Sequence, residues 1–173
     1  MHKLILILLS SALALTACAQ RPAPSVKADG NPTHIDLSQY PKASDKVNKS
    51  RAEWKAQLSP ESFDVLRDEG TERPFTGKLL KEHEDGIFTC AGCGNPLFSS
   101  STKFESGTGW PSFWAPIEPD RVIEKSDNTL GETRTEILCA RCGGHLGHVF
   151  DDGPKPTGLR YCMNSIALSF DKK

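Results

Sequence analysis

The residues best suited to chemistry lie near the end of the chain. Cys162 has Arg160 two residues before it and Asn164 two residues after it. Alternate side chains of a β-strand share a face, so these three side chains are expected on one side of their strand. A guanidinium beside a thiol favours the thiolate, which is the nucleophilic form of cysteine. We therefore predict that Cys162 is a nucleophile assisted by Arg160 and Asn164, rather than a small buried core residue.

Two histidines, His145 and His148, precede this cysteine and could supply acid–base groups, because the pKa of an imidazole lies close to neutral pH. On a regular strand, side chains three residues apart face opposite sides. Both histidines can therefore reach one site only if Gly147 bends the chain or the segment forms a turn. Two alternatives stay open: His145 as a hydrogen-bonded core residue, and both histidines as metal ligands.

Four cysteines form two Cys-x-x-Cys pairs, each followed by glycine: Cys90 with Cys93, and Cys139 with Cys142. A tight turn brings the two sulfurs of such a pair to one point, and two pairs make a tetrahedral site for zinc with four thiolate ligands. The same cage could hold iron. Two disulfides, or a thioredoxin-like redox pair, could use the same cysteines instead. The redox pair is disfavoured because neither pair follows a strand and opens a helix.

The first 17 residues resemble a secretory signal peptide, in which Lys3 precedes an apolar run too short to span a bilayer. The run ends in Leu15-Thr16-Ala17-Cys18, which resembles the lipobox of bacterial lipoproteins, where the chain is cut before a cysteine that becomes lipidated. We therefore expect Cys18 to anchor the protein in the bacterial cell envelope, facing the periplasm. Ala19 favours the outer membrane. An ordinary secreted protein with an incidental Cys18 is the alternative.

With Cys18 lipidated and four cysteines paired, Cys162 is the one cysteine left over. An odd cysteine outside the cytoplasm indicates intermolecular pairing or a free reactive thiol. The count of cysteines therefore points to the same nucleophile as the residues around Cys162.

Composition limits the class of protein. The 173 residues, 37% apolar and 25% charged, are enough for one compact soluble domain. Residues 18–46 are expected to form a flexible tether, because their first part is rich in proline, alanine and polar residues, and the folded domain is expected over 47–173. The net charge of -1 gives no reason to expect nucleic acid as a partner, and a monomer is expected.

Helical patterns come first in the domain and strand patterns follow. Ser50 and Glu53 form a capping box, and Ser59-Pro60 opens a second helix that Gly70 ends. Strands are predicted at Gly86 to Thr89, Leu97 to Phe98, Arg121 to Lys125, Glu132 to Leu138, His145 to Phe150, Leu159 to Met163 and Ser165 to Phe170. This pattern predicts a mainly β fold, a small antiparallel sheet or barrel-like sandwich with two short N-terminal helices packed on it.

Aromatic residues crowd the segment after Thr108, which two glycines flank. Trp110, Phe113 and Trp114 lie there within five positions. Such a group is typical of an aromatic corner of the core, and equally of the apolar wall of a small-molecule pocket. Both interpretations stay open from composition alone.

Several motifs together resemble the methionine-R-sulfoxide reductase B family, in order from about Trp54 to Phe170. They are the Cys-x-x-Cys pair at 90–93, the segments 103–113 and 139–154, and the segment 160–168. The resemblance implies two antiparallel sheets forming an open barrel, with a structural zinc ion. It also implies an enzyme that reduces methionine-R-sulfoxide, free or in proteins, to methionine.

The same resemblance implies a role for each site residue. Cys162 would attack the sulfoxide sulfur and become a sulfenic acid. Trp110, with Phe113 beside it, would bind the substrate. His145 and His148 would hold and protonate the sulfoxide oxygen, while Arg160 and Asn164 would organise the thiolate.

One residue departs from the pattern of that family. Many members carry a cysteine where this chain has Thr108, and that cysteine converts the sulfenic acid into an internal disulfide. Outside the two pairs and Cys162, the only cysteine here is Cys18. We therefore expect an external thiol, such as a thioredoxin-like protein, glutaredoxin or a small thiol, to reduce the sulfenic acid directly.

Two further classes of function have to be separated from this one. A zinc-stabilised module that binds proteins without catalysis would have no use for a lone thiol between Arg160 and Asn164. A disulfide carrier that uses the Cys-x-x-Cys pairs would need those thiols free of metal.

Overall fold

The computed structural model describes residues 35–129 and 131–173. Within them, two helices, α1 (Arg51–Gln57) and α2 (Pro60–Asp68), precede nine strands. The strands are β1 (Gly86–Cys90), β2 (Pro96–Ser99), β3 (Lys103–Phe104), β4 (Ser112–Phe113), β5 (Val122–Asp127), β6 (Arg134–Cys139), β7 (His145–Phe150), β8 (Arg160–Met163) and β9 (Leu168–Lys172).

Two antiparallel sheets are formed by these strands. One has three strands in the order β2-β1-β9, and the other has six in the order β3-β4-β8-β7-β6-β5. The prediction of a mainly β fold with two antiparallel sheets and short N-terminal helices is therefore confirmed. In the described part of the chain the sheets do not close into a barrel. The short strands β3 and β4 were not predicted, and a 3-10 turn at Ser165–Ala167 delays the last strand to Leu168.

Capping residues define the helices as predicted. The Ser50 side chain accepts a hydrogen bond from the amide of Glu53, and the Glu53 carboxylate accepts one from the amide of Ser50 at 2.8 Å. The Ser59 side chain caps α2 by accepting a hydrogen bond from the amide of Ser62 at 3.1 Å. This helix ends before Gly70, because Glu69 already adopts the left-handed conformation (φ 59°) that terminates it.

The core lies between the two sheets and is built around three phenylalanines. The ring of Phe113, on β4, stacks on Phe98 at 4.4 Å and meets the edge of Phe88 at 4.9 Å. All three side chains are fully buried. Aromatic pairs at these distances stabilise a core beyond the area they bury, so the sheet that carries Cys162 is fixed firmly to its neighbour.

Residues just before the predicted domain boundary at 47 also pack on the sheets. Arg121 donates a hydrogen bond to the carbonyl of Pro41 at 2.8 Å, and the amide of Val47 donates to the carbonyl of Arg141 at 2.9 Å. Ala43 is buried. Residues 41–47, here called the N-terminal strap, therefore belong to the packed domain, although their polar composition resembles that of a tether.

The membrane anchor predicted from the sequence lies outside the part of the chain that the structure describes. The signal peptide at 1–17 and the lipidation site Cys18 lie outside the described residues. Among the residues that are described, no helix is long and apolar enough to cross a membrane.

Candidate active site and metal centre

Strand register places four polar side chains in a row across the larger sheet. Glu136 on β6 pairs with His148 on β7, His148 pairs with Cys162 on β8, and Cys162 pairs with Ser112 on β4. Directly paired residues of neighbouring strands point to the same face of a sheet. The predicted nucleophile and one predicted acid–base group are therefore neighbours, with a hydroxyl on the other side.

A β-bulge brings the second histidine to the same place. Ile137 pairs with Gly147, but the next residue of β6 pairs with His145, so β7 carries one extra residue there. The ring centroids of His145 and His148 lie 5.5 Å apart. The bend that the spacing of these histidines required is present beside Gly147.

Replacing Gly147 with alanine should destabilise the domain. An added Cβ would overlap the carbonyl oxygen of Cys162 and lie 3.0 Å from the Cα of Met163, so β7 and β8 would have to separate. We expect a loss of about 1–3 kcal/mol in the free energy of unfolding, measured with urea. Gly92→Ala is the control, because its added Cβ would meet its nearest atoms at 3.6 Å, an ordinary contact. Equal losses in both variants would contradict this account.

Each histidine is held by a carboxylate. His145 Nδ1 lies 2.7 Å from Glu136 Oε1, and His148 Nε2 lies 2.8 Å from Asp127 Oδ2. An ionised carboxylate only accepts hydrogen bonds, so these ring nitrogens carry the hydrogen. His145 is almost completely buried, and within the described structure its Nε2 has no hydrogen-bond partner. One buried nitrogen of His145 is thus left without a hydrogen-bond partner among the described residues.

The surroundings of His148, and of the two carboxylates that hold the histidines, shift their pKa values. Burial lowers the pKa of His148 below its usual value, although the bond to Asp127 opposes this. Hydrogen bonds from the hydroxyl and amide of Thr129 hold the pKa of Asp127 well below the usual range. Burial opposes the ionisation of Glu136, but its bonds to His145 and Lys125 keep its pKa below normal.

Cys162 is half-buried, and burial decides its ionisation. Burial raises the pKa of the thiol, more than Thr108, Arg160 and Ser112 together lower it. Arg160 acts in the predicted direction, but its guanidinium also forms two bonds to Asp152, at 2.8 and 2.9 Å. Arg160 therefore favours the thiolate in the predicted direction, but burial keeps the pKa of Cys162 above its usual value. The cost of burying a charge exceeds the attraction of the neighbouring cation.

Alkylation of Cys162 by iodoacetamide should therefore become fast only at high pH. The thiolate is the reactive form, so a raised pKa moves the rise in rate above the usual range of cysteine, about 8.5. The rate at each pH is measured by mass spectrometry of the Cys162 peptide. Arg160→Met should move the rise to still higher pH, because a charge that favours the thiolate is lost. A rate already at its plateau at neutral pH would contradict the prediction.

The two Cys-x-x-Cys pairs converge. The four sulfurs lie within 4.8 Å of one another, with Cys90 and Cys142 at 3.7 Å and Cys93 and Cys139 at 3.5 Å. Metal–sulfur bonds of about 2.3 Å in a tetrahedron give sulfur–sulfur distances of about 3.8 Å. These distances are far longer than a disulfide bond, and the five described cysteines are unpaired. The site fits a metal ion rather than two disulfides.

The two halves of this centre have the same local structure. After Cys90, the amide of Gly94 returns to the Cys90 carbonyl at 2.8 Å, and after Cys139, the amide of Gly143 returns to the Cys139 carbonyl at 2.8 Å. Both glycines are in the left-handed region, at φ 70° and 66°. The glycine that follows each pair in the sequence therefore closes the turn that aims two sulfurs at one point.

The charges around the sulfurs also suit a cation. Hydrogen bonding to Cys139 and Cys142 raises the pKa of both Cys90 and Cys93, because neighbouring thiols compete for ionisation. A bound cation would remove that competition and hold all four as thiolates. Arg67 donates to the sulfur of Cys142 at 3.1 Å and would offset part of the remaining negative charge.

Comparison with known proteins decides the family. The model of the SelR domain matches residues 58–172. A peptide methionine sulfoxide reductase MsrB of Methanosarcina mazei is 58% identical over 131 residues, which cover 76% of this chain and 94% of that protein. A protein of the same name from Agrobacterium fabrum is 57% identical over 128 residues, covering 74% and 95%. The chain belongs to the MsrB family. Its MsrB relatives are named as enzymes, which favours a catalytic function over a protein-binding module or a disulfide carrier.

Phe113 corrects a prediction made from the resemblance to the MsrB family. It was expected to bind substrate beside Trp110, but it is fully buried among Phe88 and Phe98. Phe113 pairs with Tyr161, and Ser112 pairs with Cys162, so Phe113 lies on the face opposite the nucleophile. It is a core residue, so the core interpretation of the aromatic segment holds for Phe113.

The side chain of Asn164 does not lie beside the Cys162 thiol, where it was expected. Its side-chain oxygen accepts from the amide of Glu72 at 3.0 Å, and its nitrogen donates to the carbonyl of Leu146 at 3.1 Å. The prediction assumed that the strand continues through Asn164, so that its side chain would share a face with Cys162. The strand ends at Met163, one residue earlier. Asn164 positions the chain near the bulge rather than bonding to the thiol.

Sequence inspection of this MsrB family member missed Glu72. Its carboxylate accepts from the amides of Ser165 and Ile166 at 2.6 and 3.0 Å, just after the nucleophile strand. Its carbonyl accepts from the indole of Trp110 at 3.1 Å, and Trp110 is half-buried. Glu72 thus joins the Trp110 loop to the turn after Cys162. No spacing pattern connects residues 93 positions apart, so this contact had no signal in the sequence.

Proposed function

We propose that this MsrB family member reduces methionine sulfoxide to methionine with Cys162 as its nucleophile. The observation that carries the proposal is the pairing of Cys162 with His148 across β7 and β8. Close to them lies the buried Nε2 of His145, which has no hydrogen-bond partner among the described residues. A nucleophile and an acid–base group on one face are what attack at a sulfoxide sulfur requires, because its oxygen leaves only when protonated.

The reaction balances as an oxygen transfer between two sulfurs. Cys162 attacks the sulfoxide sulfur and forms a sulfur–sulfur bond, while the protonated sulfoxide oxygen leaves as water. Water then adds to the Cys162 sulfur as the sulfur–sulfur bond breaks, which leaves a sulfenic acid on Cys162 and releases methionine. The substrate sulfur gains two electrons and the cysteine sulfur loses two. The proton of the thiol is balanced by the proton on the sulfenic acid oxygen. The products are methionine and oxidised Cys162.

The histidines handle the proton in this scheme. His145 takes up a proton at Nε2 and delivers it to the sulfoxide oxygen, while Glu136 on Nδ1 stabilises the imidazolium formed. Asp127 holds the ring of His148 in place beside Cys162. Trp110, anchored through Glu72, offers an apolar surface for the substrate methyl group. The apolar surface of Trp110 would face the methyl group and the proton donor His145 would face the oxygen, so the two epimers at sulfur would bind differently. We propose the R epimer as the substrate.

Epimer selectivity tests the proposal. The purified protein is incubated with separated R and S epimers of methionyl sulfoxide and dithiothreitol. The expected result is turnover of the R epimer only. Turnover of the S epimer alone, or of neither epimer, would contradict the assignment.

Zinc is the metal we propose for the four-cysteine centre. Four thiolates in a closed tetrahedral arrangement are typical of structural zinc, which has no open position for substrate. Cys90 ends β1 of the smaller sheet and Cys139 ends β6 of the larger one. The ion would join the two sheets, and the proposed reaction has no step at this centre.

An external thiol is proposed as the reductant, because Thr108 stands where a second cysteine could form an internal disulfide. A thioredoxin-like protein, glutaredoxin or a small thiol would attack the sulfenic acid and form a mixed disulfide, and a second thiol would release Cys162. After one turnover without reductant, mass spectrometry should find one added oxygen on Cys162. Thr108→Cys is the matched control, since Thr108 Oγ1 lies 3.8 Å from Cys162 Sγ and a cysteine there should yield an internal disulfide. An internal disulfide in the unaltered protein would contradict the proposal.

We further propose that Cys18 carries a lipid and anchors the enzyme in the cell envelope, facing the periplasm at the outer membrane. The motif Leu15-Thr16-Ala17-Cys18 and Ala19 support this. The enzyme would then repair oxidised envelope proteins. Metabolic labelling with palmitate and fractionation of the cells test the anchor: Cys18→Ser should lose the label and leave the membrane fraction. An unlabelled native protein would exclude lipidation.

A further inference from the structure

Three hydroxyl groups form a chain that ends on the nucleophile. Thr108 Oγ1 lies 3.8 Å from Cys162 Sγ. Ser106 Oγ lies 2.8 Å from Thr108 Oγ1 and 2.7 Å from Ser112 Oγ. Ser112 donates to the carbonyl oxygen of Trp110 at 3.1 Å. The carbonyl at the far end only accepts, so it gives the chain of hydroxyls a direction.

The hydrogens of this chain can be assigned for both states of Cys162. With Cys162 as a thiol, Ser112 donates to Trp110, Ser106 donates to Ser112, and Thr108 donates to Ser106. When Cys162 loses its proton, the Thr108 hydrogen turns to the sulfur and the Ser106 hydrogen turns to Thr108. Each hydroxyl hydrogen keeps an acceptor throughout, because a hydroxyl can rotate between its partners.

The backbone places this chain before any reaction occurs. Gly107 and Gly109 flank Thr108 with φ of 74° and 95°, which a residue with a side chain rarely adopts. An added Cβ on Gly109 would lie 2.7 Å from Pro74, so the loop is packed closely against its neighbour. Ser112 is 1% exposed and pairs directly with Cys162. Donors held in advance stabilise charge without a cost of reorganisation.

We propose that the Thr108 hydroxyl, oriented by Ser106 and Ser112, is a catalytic hydrogen-bond donor that stabilises the thiolate of Cys162. The residue in the place of a second cysteine therefore has a function of its own in this chain. Burial disfavours the charged sulfur. The hydrogen bond from the Thr108 hydroxyl offsets part of that cost without adding a charge. The role in turnover rests on the proposed function, whereas the effect on the thiol exists without any sulfoxide.

The test compares Thr108→Val with Thr108→Ser. Valine keeps the shape of threonine but removes the hydroxyl, and serine keeps the hydroxyl. The alkylation rate of Cys162 is measured against pH without sulfoxide, so the result is independent of the proposed function. A hydrogen bond to a charged group corresponds to a shift of about one pH unit, or about tenfold less thiolate at fixed pH. We expect that upward shift in Thr108→Val and a profile close to the original in Thr108→Ser.

Ser106→Ala provides a second, more distant change. It leaves Thr108 in place but removes its oriented neighbour, so a smaller shift in the same direction is expected. Bound metal and thermal midpoint are measured for every variant, to show that the fold is kept. Coincident profiles for Thr108→Val and the unaltered protein would overturn the proposal. So would a Thr108→Ser profile equal to that of Thr108→Val.

Discussion

Replacing Cys162 with serine should abolish the reduction of methionine sulfoxide, lowering kcat at least about a thousandfold. A serine hydroxyl is a far weaker nucleophile than a thiol, and its oxygen cannot be oxidised as the cysteine sulfur is when it becomes a sulfenic acid. Cys162 is half-buried and its sulfur lies 3.8 Å from the Thr108 hydroxyl, a partner that a serine can also use. The fold should therefore survive.

Two measurements separate this result from unfolding. Turnover of methionyl-R-sulfoxide with dithiothreitol reports the chemistry, and the thermal midpoint with the metal content reports the fold. Both structural quantities should match those of the unaltered protein. Activity within tenfold of normal would mean that another residue attacks the sulfoxide.

The second large effect is expected at the metal centre. Cys139→Ser should lose the bound metal and lower the free energy of unfolding by more than about 4 kcal/mol, because metal binding at such sites is coupled to folding. Cys139 is fully buried at the end of β6, 3.5 Å from the sulfur of Cys93. Metal content and urea unfolding measure the two effects.

Activity should fall with this variant although it lies outside the active site. The strand that ends at Cys139 carries Glu136, which holds His145. Chelation of the unaltered protein should reproduce the lower stability, and Cys162→Ser is the control that keeps its metal. A Cys139→Ser protein that is apo but as stable as the original would show that the metal has no structural role.

Most features of the fold and the site that the sequence predicted depend on residues close together in the chain. The capping box at Ser50 and Glu53 involves residues three apart, and each Cys-x-x-Cys pair closes its own turn. Such features depend on a few neighbouring residues, so their spacing is visible in the chain. The isolation of Cys162 as the odd cysteine is likewise a matter of counting.

Features that depend on register or on distant contacts were not predictable in the same way. Phe113 and Ser112 belong to a strand of two residues, too short to show an alternation, and only the pairing with β8 decides which of them faces Cys162. Glu72 acts through amides far along the chain. The ionisation of Cys162 depends on how deeply the folded sheet buries it, a quantity that Arg160 in the sequence does not reveal.

The N-terminal strap has a consequence for how fast the metal exchanges. Val47 bonds to Arg141, which lies between the two cysteines of the second pair, and Lys46 donates to the carbonyl of Ala140 at 2.6 Å. The strap therefore holds that turn by two hydrogen bonds. We therefore expect a protein that lacks the strap to lose a bound metal ion to a chelator faster than the full chain does.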